Sequence, residues 1–263
     1  FAYIAHPESQ DDAIFGWDSI ITNFRGYSLD NYKGLQIWNQ DIRTKNDSLD
    51  ALDKGLEKWK DVLLGREGIN PRQVFISAGS DAHGDLNTKF GKEYTCIYVP
   101  FFSKQNIFNG LKKGNSFISN NGALIFSVNN TLIGDEINIT KGNQIKLDIS
   151  YNLENGCYLN ISRGTINANK ESQVGNKQLI SGEGNLFVVD SPTNNSYYRL
   201  ECLDANANKR IYTNPIWVNV KECNPQWSCS IWSDCRCGLQ NRTCVDLNQC
   251  GTDNNKPLEI QSC

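Results

Sequence analysis

Two histidines and an aspartate are the residues of this 263-residue chain best placed to do chemistry. His6 closes the apolar run of "FAYIAHPE", and Asp81 and His83 stand two apart in "SAGSDAHG", again where an apolar run stops. On extended backbone residues i and i+2 point the same way, so Asp81 and His83 present a carboxylate and an imidazole on one side. Joined by His6 from another strand end, the pair forms a nitrogen-and-oxygen donor set suited to zinc, manganese or iron. The three side chains are expected to converge within roughly 4 to 7 Å, because a shared metal cluster needs bonds of ~2.0 to 2.2 Å. Phe15, Trp17 or Trp38 is expected to line the pocket. A plainer role is open to both histidines, which at strand ends can simply bond a backbone carbonyl.

Strand and helix signals alternate through residues 1 to about 117. "AYIA", "GLQIW", "QVFISAG" and "YTCIYV" read as short buried strands. "DSLDALDKGLEKWKDVLLG" carries Leu49, Leu52, Leu56, Trp59 and Leu63 at helical spacing, with Asp47 or Ser48 as a cap and Gly65 as a stop. "SKQNIFNGLKKG" reads as a second helix ending at Gly114. This rhythm predicts βαβ units and a mainly parallel sheet or barrel, with the site at the carboxyl ends of the strands. His6, Asn39, Asp81 and His83 each follow a strand and fall at that edge.

From 118 to 221 the period changes to two. In "IKLDISY", Ile145, Leu147, Ile149 and Tyr151 share one face while Lys146, Asp148 and Ser150 share the other. "CYLNIS", "NLFVVD", "YYRLECLD" and "PIWVNV" follow between Gly- and Asn-rich turns, which predicts a β-sandwich. Cys157 shares a face with Leu159 and Ile161, and Cys202 shares one with Tyr198 and Leu200. Both point at one core, so a disulfide between them is expected. Cys96 is expected to be a buried free thiol.

Residues 222 to 263 are too few for an ordinary core and must be stapled. Seven of the ten cysteines fall here, at irregular spacing and with no C-x-x-C pair or histidine to make a zinc site. Seven thiols allow three disulfides with one left over, and the connectivity is open. Arg242 is expected between the indoles of Trp227 and Trp232. Cysteine density and six N-x-S/T sequons, at Asn46, Asn129, Asn138, Asn160, Asn194 and Asn241, point to an exported, extracellular chain. A net charge of -3 with mixed signs gives no basic stripe for nucleic acid, and no apolar run is long enough to span a membrane. With no methionine and Phe1 opening into a strand, the chain is expected to be cut from a longer one.

The order of "AYIAHPE", "GLQIWN", the amphipathic helix, "SAGSDAHG", "EYTCIYV" and "LKKGNSFISNNGALIF" resembles the later half of the polymerase-and-histidinol-phosphatase (PHP) family. These are metal-dependent phosphoesterases. The similarity is to its secreted, carbaryl-hydrolase-like branch, in which a β-sandwich closes on a "TNPI" strand such as Thr213 to Ile216. The resemblance implies the C-terminal half of a distorted (β/α)7 barrel over 1–117, a β-sandwich over 118–221, and His6, Asp81 and His83 as ligands to two or three divalent metal ions. It implies hydrolysis of a small phosphate ester or related ester by metal-activated water. The remaining family ligands are expected upstream of residue 1. These three alone are expected to bind metal weakly and to give no turnover beyond a His6→Ala control. Gln36 stands where the family usually has glutamate and is given no metal role. "WSCSIWSDC" with "GLQNRTC" resembles a thrombospondin type-1 repeat, which implies a cell-surface, glycan or protein partner; Cys237 departs from that pattern, so it is the expected remainder and the three disulfides are expected among Cys223, Cys229, Cys235, Cys244, Cys250 and Cys263. Two functions follow as expectations: a secreted metal-dependent hydrolase, or an extracellular adhesive protein on a degenerate scaffold.

Overall fold

The computed structural model describes residues 1–5, 32–39, 45–67, 70–80 and 90–263. Among them are twenty strands and two helices of more than one turn, α1 (Lys45–Leu63) and α2 (Lys104–Lys113). The expected half of a (β/α)7 barrel is therefore corrected, since among the described residues no series of alternating strands and helices closes around an axis. Its parallel element is present in reduced form. Strands β1 (Ala2–Ala5), β2 (Tyr32–Asn39) and β3 (Phe75–Gly79) make a three-stranded parallel sheet in that order, with α1 crossing over from β2 to β3.

Side chains, not a further strand, cap the open edge of β3, and this is the physical reason the sheet stops there. Asn214 Oδ1 accepts the Ile76 N–H at 2.8 Å, while its Nδ2 donates to the carbonyls of Ile76 and Ser116 at 3.3 and 3.0 Å. The Thr95 hydroxyl accepts from the Ala78 N–H and donates to the Ala78 carbonyl, both at 2.8 Å. Strand β4 (Tyr94–Ile97), which the alternation assigned to the barrel, pairs antiparallel with β5 (Ser116–Ser119) instead. Through β5 they join the main sheet of the sandwich at β15 (Arg210–Thr213). The loop after Ile97 and α2 form an excursion that begins and ends at one sheet edge, so Ser116 enters opposite Ile97. Helix α2 stops as expected at Gly114, where φ is 74°, a left-handed backbone that glycine adopts without strain, and at its start Ser103 Oγ caps the Asn106 N–H at 3.2 Å. Replacing Asn214 by alanine is expected to lower the unfolding free energy by about 2 kcal/mol, because three buried backbone groups lose a partner together. Asn214→Asp should do no better, since a carboxylate cannot donate to the two carbonyls; urea denaturation of both variants checks this.

The nine-stranded sheet that holds β4 and β5 also contains β10 (Cys157–Thr165), β14 (Ser196–Leu203) and β16 (Ile216–Lys221). It forms a middle layer. One face packs on a four-stranded sheet ordered β13 (Glu183–Asp190), β9 (Ile145–Leu153), β6 (Gly122–Val128) and β7 (Thr131–Leu132), burying Phe126, Leu147, Leu200 and Ile211. The other face receives α1, where Leu52, Leu56, Trp59 and Leu63 meet Tyr197, Tyr212 and Trp217. Strand β14 is thus buried on both faces, with Tyr198, Leu200 and Cys202 turned to the sandwich core and Tyr197 and Arg199 to α1. The guanidinium of Arg199, wholly buried, lies 5.6 Å from the Trp59 ring and pairs with Glu171 at 2.5 Å and Glu201 at 2.6 Å. Trp59 Nε1 in turn donates to the Val74 carbonyl at 3.0 Å. Helix α1 begins at Lys45, ahead of the expected caps Asp47 and Ser48, and stops as expected at Gly65, where φ is 78°.

The Cys157–Cys202 disulfide forms as expected, diagonally between β10 and β14 with Cα atoms 5.5 Å apart. Cys96 is free but only partly buried, and that burial pushes its thiol pKa up.

Candidate functional site

The carboxyl edge of the parallel sheet is the place where the candidate ligands should emerge. Ala5, the last residue of β1, pairs with Gln36, and Gly79, the last residue of β3, pairs with Asn39. With neighbouring strands about 4.8 Å apart, β1 and β3 lie roughly 10 Å from each other across β2, and all three run toward the same edge. Gly34 allows this close assembly, because a Cβ there would fall 2.2 Å from the Phe75 carbonyl and 2.4 Å from the Tyr3 ring. The Tyr3 hydroxyl donates to the Leu111 carbonyl at 2.8 Å, which ties β1 to α2.

His6, Asp81 and His83 lie outside the described residues, as do Phe15 and Trp17. Asn39 is described and buried at the carboxyl end of β2. Trp38 is corrected: it is 1% exposed and packed in the core formed with α1, so it does not line the edge. A register shift between Gln36 and Trp38 in β2 changes the alternation there, which is why Ile37 and Trp38 are both buried. Gln36, the residue left without a metal role, places its carboxamide against Gly79, where there is no Cβ to exclude it. A polar group therefore stands between the ends of β2 and β3, a position the substitution in "GLQIWN" marked without explaining. Among the described residues no three His, Cys, Asp or Glu side chains come together as a metal site.

A second candidate surface lies in the C-terminal module. Its disulfides are Cys223–Cys250, Cys229–Cys244 and Cys235–Cys263, using the six expected cysteines. Cys237 is the free, exposed remainder. It occupies the tip of a two-residue hairpin turn with φ 53°, followed by Gly238 at φ 79°, between Arg236 and Leu239, whose backbones exchange hydrogen bonds at 3.0 Å. The Arg242 guanidinium lies 4.4 Å from the Trp232 ring and its Nε donates to the Leu258 carbonyl at 2.8 Å. The expected double stack is corrected: Trp227 takes the ammonium of Lys256 at 5.5 Å instead of Arg242. Glu259 holds Lys256 at 2.9 Å and accepts the Cys244 N–H at 2.7 Å. A shallow groove runs past Ile231, Trp232, Arg236, Gln240 and Arg242, and Ile231 is 92% exposed on its rim.

No family model matches the chain, and no curated protein matches it. Among solved structures, the N-terminal domain of PorA is similar at a TM-score of 0.21 and 8% identity, over 38% of this chain and 97% of that one; a likeness of this size carries no argument. Four disulfides are present, and no described helix is long and apolar enough to cross a membrane.

Proposed function

We propose that this chain carries part of the site of an exported, metal-dependent hydrolase of the phosphoesterase class, with His6, Asp81 and His83 as three of its ligands at the carboxyl edge of the parallel sheet. One observation carries the reading: the strands that precede these residues, β1 and β3, are parallel, flank one common neighbour and end at the same edge. The separation of roughly 10 Å suits side chains that reach inward from both strand ends toward a group of ions ~3.5 to 4 Å apart. Two imidazoles and a carboxylate match the chemistry of zinc, manganese or iron. Bound there, the ions would supply an activated water and polarise a phosphoryl oxygen. The chain's own contribution is to hold the donors in place and, through the Gln36 carboxamide beside Gly79, to offer a hydrogen bond at the mouth of the site. The disulfides support export into an oxidising compartment.

The test is calorimetric titration of the metal-stripped chain with manganese and zinc. Binding is expected in the wild type and should weaken at least ~10-fold in Asp81→Ala and in His83→Ala. Hydrolysis of a chromogenic phosphomonoester must be chelator-sensitive and lost in Asp81→Ala wherever it is seen. An absence of binding, or binding that survives both substitutions unchanged, rejects the proposal.

A second reading, an extracellular binding protein, has one observation in its favour: the exposed Ile231 beside the Arg242–Trp232 stack offers an apolar and a cationic contact in a single groove. It predicts binding of a surface glycan or protein that Trp232→Ala abolishes, with no dependence on metal.

A further inference from the structure

Strand β13 is the outer edge of the four-stranded sheet, and among the described residues none of the usual devices closes it. It pairs with β9 over eight residues without a register shift, and it contains no proline or lysine. Its acids, Glu183 and Asp190, stand at the two ends, leaving the six residues "GNLFVV" between them uncharged. Among the described residues no backbone hydrogen bond reaches it from any strand but β9. Alternate residues of an edge strand direct their N–H and C=O groups outward, so this strand offers an unused ladder. The opposite edge, β7, is only two residues long.

The side chains point the same way. On the inner face Ile145, Leu147 and Ile149 of β9 are at most 1% exposed, yet Leu186 and Val188 of β13 are only partly buried, so the core stands open along this edge. On the outer face Phe187 and Val189 are 62% and 47% exposed, with the Lys146 ammonium 5.0 Å from the Phe187 ring. The Asp190 carboxylate is fixed by Arg163 at 2.9 Å and by the Tyr198 hydroxyl at 2.7 Å, which holds the end of the strand in place.

We propose that β13 pairs antiparallel with β13 of a second copy of this chain about a two-fold axis at Phe187, joining two four-stranded sheets into one of eight. The strand is self-complementary in this register. Phe187 meets its own counterpart, Leu186 meets Val188, and Asn185 meets Val189, so each exposed apolar residue gains a cross-strand neighbour on its own face. Charge favours the same arrangement. Asp190 falls opposite Gly184 and Glu183 opposite Ser191, whereas a parallel pairing in register would set each acid beside itself. One patch serving both copies is the condition for a closed two-fold dimer, and an edge consumed in this way cannot propagate into a fibre.

Sedimentation equilibrium tests it, on the chain carrying Cys237→Ser so that the exposed thiol cannot crosslink copies. A dimer is expected at ~10 to 100 µM, the range of a small interface. Phe187→Lys and Phe187→Glu should each be monomeric at the same concentrations, because each sets a like charge directly opposite itself. Mixed in equal amounts, the two variants should form a dimer again. Phe187 is exposed, so both variants are expected to keep the wild-type circular dichroism, which verifies folding. A parent chain that stays monomeric at ~100 µM overturns the proposal and leaves the edge to an extended segment of a different protein. Dimers that persist in both variants, or a mixture that stays monomeric, overturn it as well.

Discussion

Replacing Cys157 and Cys202 together by alanine is expected to lower the unfolding free energy by about 4 kcal/mol, the value that chain entropy assigns to a crosslink between residues 45 apart. The two sulfurs are wholly buried in the sandwich core, so the substitution also removes packed volume. Guanidinium denaturation measures the effect. The midpoint should fall while the slope rises, because an unfolded chain without the crosslink exposes more surface. A loss below about 1 kcal/mol would mean that the bridge merely decorates a core already held by Leu159, Leu200 and Ile211. The three disulfides of the C-terminal module should be insensitive to this pair of substitutions, since they staple residues 223 to 263 among themselves.

Arg199→Met is expected to destabilise the chain by about 3 kcal/mol, although methionine matches the stem of arginine in volume and apolar character. The loss comes from the partners left behind. Glu171 accepts from Arg199 Nε at 2.7 Å and from the Tyr197 hydroxyl at 2.8 Å, and Glu201 takes the Nη1 contact at 2.6 Å with Lys60 3.8 Å away. Removing the guanidinium leaves two carboxylates facing the buried seat of Trp59 without their main cation. The same substitution should change how stability depends on pH. Burial raises the Glu201 carboxyl pKa, but Arg199 and then Lys60 outweigh it and hold the group below the usual carboxylate range. A depressed carboxylate contributes stability that is present above its unfolded pKa of ~4.3 and is lost as pH falls through the lower folded value. The wild type should therefore lose stability on acidification below about pH 4.5, and Arg199→Met should lose less of it over the same window. Thermal unfolding followed from pH 7 to 3 reads both effects, and an identical acid limb in the two proteins would refute the assigned role of Arg199.

Much of the architecture was legible in local pattern. The helical spacing of Leu52, Leu56, Trp59 and Leu63 and the glycines at 65 and 114 specify elements through neighbours a few residues away. Period-two alternation in β9 and the shared registers of Cys157 and Cys202 did the same for the sandwich and its disulfide. Composition alone separated the C-terminal module, and its six bridged cysteines and one remainder were countable in advance. At the candidate site, sequence supplied the three ligand candidates and the strands before them, while the described residues supply the shared edge on which β1, β2 and β3 end.

Other features were decided only by tertiary competition. An apolar strand such as "SFIS" satisfies a parallel barrel and an antiparallel sandwich equally well, and nothing within it states which edge it will join. The amide of Asn214 and the hydroxyl of Thr95, far away in sequence, take the free edge of β3 and leave β5 to pair with β15. Likewise "SYYRLECL" reads as alternating, yet α1 covers its second face and buries Tyr197 and Arg199 as deeply as Leu200. Disulfide connectivity and the exchange of Arg242 for Lys256 at Trp227 belong to the same class. Periodicity and caps report interactions between sequence neighbours, so a single chain reveals them directly. The choice among long-range partners depends on free-energy differences between competing pairings that no segment carries by itself.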